Sequence, residues 1–233
     1  MEKSVAVLGL GRYGRSVATN LYDLGADVLV VDQDEDVIAE FSNKSTVAVC
    51  ANLNNEDELT SLGLKDMDIV LINMGSNLAA SILAVSVAKE QGVKTVMAKT
   101  NSDRMSIILR KVGADIIVDP EEEGGARTAR VLMTTYLQDC FKLDANMYLA
   151  DLKPQEEWIG KTLKELDLRQ NLNINIAAIR DSGGYWRFVD PDEMIKDDSS
   201  LLVVMDKKTM NEINANFERG EREKAKEQKK KNR

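Results

Sequence analysis

Histidine is absent from the 233 residues. That removes the side chain most often used as a general acid or base near neutral pH. No tyrosine is followed four positions later by lysine, so the Tyr and Lys pairing of short-chain dehydrogenases is missing as well. Cysteine is scarce: Cys50 and Cys140 stand far apart with no Cys-x-x-Cys spacing, which fits reduced thiols rather than a disulfide framework or a zinc site. Both are expected in the core. Long apolar runs are lacking too. The most apolar stretch, Leu78 to Ala88, is broken by Ser81 and Ser86 and falls short of the roughly 20 residues needed to cross a bilayer. The opening MEKSVAVLGLG runs straight into a buried-strand pattern without the ordered regions of a secretory signal, so a cytoplasmic protein is expected.

The composition is that of an ordinary globular chain, 43% hydrophobic and 30% charged with a net charge of -8. An acidic body argues against a nucleic-acid partner. The last stretch, Arg219 to Arg233, is by contrast rich in Lys and Arg and is read as a solvated helix end or frayed terminus, with anionic lipid, RNA or an acidic partner surface as the alternatives.

Short β-branched runs recur through the first 120 residues: Val5 to Leu8, Val28 to Val31, Val47 to Val49, Ile69 to Ile72, Thr95 to Ala98 and Ile116 to Val118. Runs without alternation suit strands covered on both faces, and the amphipathic segments between them supply the covering helices. The expected fold class is therefore α/β, a Rossmann doubly wound parallel sheet of six strands at 1–120. Glu121 to Phe141 reads as one long connecting helix, with three acids at its start suiting the helix dipole, and residues 121–142 are assigned to it. A small α+β domain is expected at 143–220, before a charged tail at 221–233. Its expected elements are strands at Met147 to Leu152, Ile174 to Ile179, Tyr185 to Val189 and Leu201 to Met205, a short helix at Leu163 to Leu168, and a polar helix from Lys207 onward.

One motif carries chemistry. Gly9, Gly11 and Gly14 form GxGxxG between the first strand and the first helix, the arrangement that brings phosphate groups to backbone amides at a helix N-terminus. Asp32 ends the second strand eighteen residues after Gly14, where an acid can accept hydrogen bonds from ribose hydroxyls and repel a 2′-phosphate. Arg12 lies inside the loop and is assigned to a terminal polyphosphate oxygen. Arg15 is read as solvent-facing. Lys99, at the end of the fifth strand, is left open between ligand contact and surface charge. With no proton-transfer constellation in the second domain, a nucleotide sensor is preferred to an enzyme. A soluble NAD-dependent oxidoreductase using Lys, Asp or Cys is the rival reading.

The strand and loop VAVLGLGRYG, the VVDQDE after strand two, VCANLNNEDELTSLGL, INMGSN and GADIIVDPEEEGG together resemble the RCK proteins, cytosolic regulators of potassium transport, and among them the regulatory subunits of Ktr/Trk-type uptake systems. LDLRQNLNINIAAI and LLVVMD are similar to the companion RCK C-terminal domain. The resemblance implies dimers assembled into an octameric ring, docked on a membrane potassium translocator at the inner face of the cell membrane and changing shape with ATP or ADP; NAD or NADH is the less expected ligand. It places Gly9, Gly11, Arg12, Tyr13 and Gly14 at the phosphates, Asp32 at the ribose, and Asn52 and Gly75 on the adenine and ribose rims, and it assigns Glu121 to helping hold a divalent cation, Mg²⁺ or Ca²⁺, between nucleotides of neighbouring subunits. A helix-dipole acid is the alternative for Glu121. It also implies a cyclic di-AMP pocket between two C-terminal domains, with Arg169, Asn175 and Pro191 as contacts; dimer packing is the competing role for these residues. The chain departs from the family at Asn171-Leu172-Asn173, where relatives often carry Tyr-Gly, which puts the shape of that pocket in doubt.

Overall fold

The computed structural model describes residues 3–75, 77–134 and 136–217. It divides into two compact units between Glu123 and Gly124. The first holds six parallel strands: β1 (Ser4–Leu8), β2 (Asp27–Asp32), β3 (Val47–Cys50), β4 (Ile69–Ile72), β5 (Thr95–Lys99) and β6 (Ile116–Val118). Their order is β3-β2-β1-β4-β5-β6, so the chain reverses direction across the sheet between β1 and β4, leaving a crevice at the carboxyl ends of the strands. All six expected strands form.

Alternate residues of the strands feed two cores. Val5 and Val7 of β1 join Val28 and Val30 of β2 under α1 (Arg12–Asp23) and α2 (Glu35–Phe41), with Ala18 and Phe41 buried there. Ala6, Leu8, Leu29 and Val31 face the opposite side, beneath α3 (Glu56–Ser61), α4 (Leu78–Glu90) and α5 (Asp103–Val112). Because both faces are covered, the strand interiors are apolar throughout, which explains why the runs lack alternation.

The second unit is an antiparallel sheet, β7 (Leu137–Lys142), β8 (Met147–Leu152), β10 (Ser200–Asp206) and β9 (Asn175–Arg180) in spatial order. One face packs on α7 (Leu163–Leu166), α8 (Leu168–Leu172) and the helix at 207–217, burying Leu152, Trp158, Leu168, Ile174, Leu201 and Ile213. The expected charged tail at 221–233 lies outside the described residues.

Four expectations are corrected here. The helix read from Glu121 to Phe141 stops at Leu132 as α6 (Pro120–Leu132), and the rest becomes β7. No glycine or proline marks the break. Thr134 Oγ1 donates to the carbonyl of Arg130 at 3.0 Å past the last helical residue, and Leu137 and Cys140 turn into the second core. The short helix read from Leu163 to Leu168 is split at Asp167, whose φ of 40° ends α7 and starts α8. The expected strand Tyr185 to Val189 is reduced to a single bridge between Ile179 and Arg187. Cys50 is exposed at the end of the edge strand β3, whereas Cys140 is buried as expected.

Candidate nucleotide site

The crevice beside the β1–β4 reversal is a cleft of about 310 Å³. Gly9, Gly11, Asp32 and Gly75 line it, together with Gln33, Asn54, Asn73 and Asn77. The three loop glycines have different reasons to be there. Gly9 adopts φ 95°, and a Cβ on it would stand 2.4 Å from the Asn73 carbonyl oxygen. At Gly14 a Cβ would meet the Gly9 carbonyl oxygen at 2.1 Å and Asn73 Nδ2 at 2.6 Å. These two positions are dictated by packing. Gly11 has an ordinary φ of -63°, and a Cβ there would touch only Asn73 Nδ2, at 3.7 Å. Nothing inside the chain demands glycine at 11.

The α1 N-terminus is prepared for an anion. The side chains of Asp34, Asn55, Asn77 and Ser102 accept hydrogen bonds from the first-turn amides of α2, α3, α4 and α5. α1 starts at Arg12 behind Gly11 at the cap position, with no side-chain cap and no acid in its first turn. Its amides and the positive end of its dipole are left for a negative group.

The loop is held from several sides. Asp32 Oδ2 accepts from the Leu10 amide at 2.6 Å, and Oδ1 accepts from the Asp34 amide at 3.1 Å. Arg15 Nε donates to the Leu10 carbonyl at 2.8 Å while its Nη1 reaches Glu40 at 2.6 Å. Arg15, read as solvent-facing, is in fact a brace, and the Leu10 peptide is fixed at both ends. Asn73 Nδ2 donates to the Gly9 carbonyl at 2.9 Å from a buried position at the end of β4. Sequence reasoning missed Asn73, although a polar residue directly after a buried run, at the strand end where open sheets bind ligands, was a signal.

Asn52 does not line the cleft itself. Its Oδ1 accepts from the amide and side chain of Asn54 at 3.0 and 3.1 Å, and Asn54 Oδ1 accepts from Asn77 Nδ2 at 2.8 Å. This relay brings Asn54 and Asn77, neither singled out by sequence, to the cleft wall. Arg12 is exposed on the first turn of α1.

Two known-protein domains match the chain, the TrkA-N domain over residues 5–120 and the TrkA-C domain over 147–218. It is 35% identical over 206 residues to Ktr system potassium uptake protein C of Bacillus subtilis, covering 88% of this chain and 92% of that protein. The chain belongs to the RCK family of Ktr-type potassium uptake proteins. With Ktr system potassium uptake protein A of Vibrio alginolyticus it shares 38% identity over 167 residues, 72% of this chain and 76% of that one. The fold is that of the GsuK RCK domain, with a TM-score of 0.65 and 14% identity over 92% of this chain and 47% of that chain.

Lys99, read from its place at the end of β5, gathers away from the cleft wall with Tyr13 and Glu121, both drawn from the RCK resemblance. Lys99 Nζ donates to Glu121 Oε1 at 2.7 Å from a largely buried position, and this bond holds the Glu121 carboxyl below its usual range. Burial, followed by the charge of Glu123, pushes the Tyr13 phenol up; Lys99 works against it. Within the chain Glu121 is paired with the Lys99 ammonium, and among the described residues no group of three or more acidic, Cys or His side chains forms.

The C-terminal positions drawn from the RCK resemblance do come together. Arg169, Asn175 and Pro191 line one cavity of about 280 Å³ with Lys164 and an apolar wall that includes Leu163, Ile174 and Ile176. The Lys164 amide donates to the Pro191 carbonyl at 3.0 Å, tying the two rims. Asn173 takes the left-handed conformation, with φ 55°, and donates through Nδ2 to Asp206 at 3.2 Å. Asparagine tolerates that conformation better than most residues.

Proposed function

We propose that this RCK protein is a non-enzymatic, nucleotide-responsive subunit that regulates a membrane potassium translocator, with ATP and ADP as ligands of the β1–β4 cleft. The observation that carries the reading is the open approach at Gly11, a glycine with no internal reason, in front of α1, whose N-terminus lacks a side-chain cap. The amides at the start of α1 receive the phosphates, Asp32 takes the ribose hydroxyls while repelling a 2′-phosphate, and Asn54 with Asn77 offers amide groups along the cleft. Arg12, at the first helical position, reaches the terminal phosphate and thereby separates ATP from ADP. The subunits act as a ring of dimers docked on the cytoplasmic face of the translocator, and the nucleotide that binds one ring shape more tightly shifts the gate by that difference alone. In the second unit, Arg169 supplies charge for a phosphate and Asn175 an amide to read a base edge, a chemistry suited to cyclic di-AMP. Nucleotide-dependent melting tests the proposal: ATP and ADP should each raise the melting temperature well beyond any rise with NADH, by mass action on the folded state. Stabilisation by NADH alone, accompanied by hydride transfer, would replace the regulator with an oxidoreductase.

A further inference from the structure

Among the described residues, the charged side chains lining the cavity of the second unit are Lys164, Asp167 and Arg169. Arg169 and Asp167 carry opposite charges and offset each other. The excess positive charge that a phosphodiester needs therefore comes from Lys164.

The backbone beside Lys164 is fixed. Thr162 Oγ1 accepts from the Glu165 amide at 3.1 Å and Glu165 Oε2 accepts from the Thr162 amide at 2.8 Å, a capping box over the start of α7. Thr162 also pairs with Met194 in an antiparallel bridge, and the Lys164 amide donates to the Pro191 carbonyl at 3.0 Å. The Lys164 side chain is held far less. Among the described residues its ionic partner is Asp192, directly after Pro191 in the chain, at 3.5 Å and with the two side chains 73% and 76% exposed. An ion pair that open to water contributes little. A lysine on its flexible stem gives it up for a phosphate oxygen without any movement of the backbone.

We propose that Lys164 is a two-position cation that sets the charge of this cavity: without ligand it pairs with Asp192 at the rim, and with ligand it turns to the phosphodiester, so that Asp192 competes with the ligand for it. The proposal rests on the cyclic di-AMP reading of the cavity above. Binding of cyclic di-AMP to full-length wild type, Lys164→Gln, Asp192→Asn and the double variant is measured by titration calorimetry at low and at physiological salt. Lys164→Gln should bind about tenfold more weakly, the loss of one charge-assisted contact, and its affinity should depend less on salt. Asp192→Asn should bind about threefold more tightly, since an exposed ion pair no longer has to break. The double variant should bind as Lys164→Gln does, because Asp192 acts through Lys164. Unchanged affinity in Lys164→Gln, or an Asp192→Asn variant no tighter than the wild type, overturns the proposal. A double variant tighter than Lys164→Gln overturns it too, because Asp192 would then simply repel the ligand. If the wild type itself binds no cyclic di-AMP, the reading of the cavity fails and the proposal with it; wild-type binding that is indifferent to Lys164 sinks the proposal alone.

Discussion

Replacing the loop glycines one at a time separates what the fold needs from what the ligand needs. In Gly11→Ala the new methyl sits in ordinary contact with Asn73 Nδ2, at 3.7 Å, on a backbone that alanine adopts freely. Losing glycine at the helix cap costs about 0.5–1 kcal/mol, while the stiffer unfolded chain returns roughly 0.4–1 kcal/mol. The melting temperature should therefore stay within about 2 °C of the wild type. The same methyl stands between the α1 amides and a phosphate. Losing one charge-assisted hydrogen bond, worth about 1.5–3 kcal/mol, weakens ATP and ADP by roughly tenfold to a hundredfold. Gly14→Ala behaves oppositely. Its methyl falls 2.1 Å from a backbone oxygen, so the loop or helix must move. Overpacking of that kind costs ~3 kcal/mol, or about 6–12 °C in a chain of this size. Calorimetric titration with ATP and scanning calorimetry of both variants make the comparison. If Gly11→Ala melts as low as Gly14→Ala, or binds ATP as the wild type does, the reasoning is refuted.

Asn73→Ala leaves the Gly9 carbonyl without its partner and should cost about 1–3 kcal/mol, lowering the melting temperature and ATP affinity together; a loss of affinity alone would move Asn73 from loop brace to ligand contact. Asp32→Asn should narrow the gap between NADH and NADPH in competition with ATP, since the charge facing a 2′-phosphate is gone, and an unchanged ratio would remove Asp32 from the ribose site. Arg169→Ala should abolish cyclic di-AMP binding in an equilibrium dialysis assay while leaving the ATP-induced melting shift intact. Two aspartates of the second unit predict opposite pH slopes. Asp139, bonded by Arg127, is held below its ordinary value, so its contribution is complete above the ordinary aspartate range and is lost as pH falls through the depressed value; Asp139→Asn should flatten that acid limb. Burial raises Asp151 above its ordinary value despite Arg180, so its ionisation subtracts stability as pH rises through the raised value, and melting curves of Asp151→Asn between pH 3 and 7 should lack that decline.

The sheet was legible because each β-branched run is buried on both faces, and the loop because Gly9, Gly11, Gly14 and Asp32 lie close together in the chain. What could not be read depends on contacts made across the chain. Asn73 matters through a bond to Gly9, sixty-four residues away, and Lys99 through a carboxylate at the start of α6, twenty-two residues on. Strand β7 was hidden because Ala, Arg, Leu and Met before it favour a helix, and nothing local announces that Leu137 and Cys140 enter another core. Asp167 and Asn173 are left-handed without being glycine, so composition gave no warning of the break between α7 and α8 or of the end of α8. Arg169, Asn175 and Pro191 were named through family resemblance, and their common cavity forms only once α8, β9 and the loop before β10 are folded together.

Potassium flux through proteoliposomes holding a Ktr-type translocator, with this protein added on the outer, cytoplasmic-facing side, tests the account most directly. Flux in ATP should differ from flux in ADP, and the difference should disappear with Gly11→Ala at a nucleotide concentration near the wild-type dissociation constant. Equal flux in ATP, in ADP and without nucleotide, from wild-type protein shown to be bound to the translocator, would contradict it.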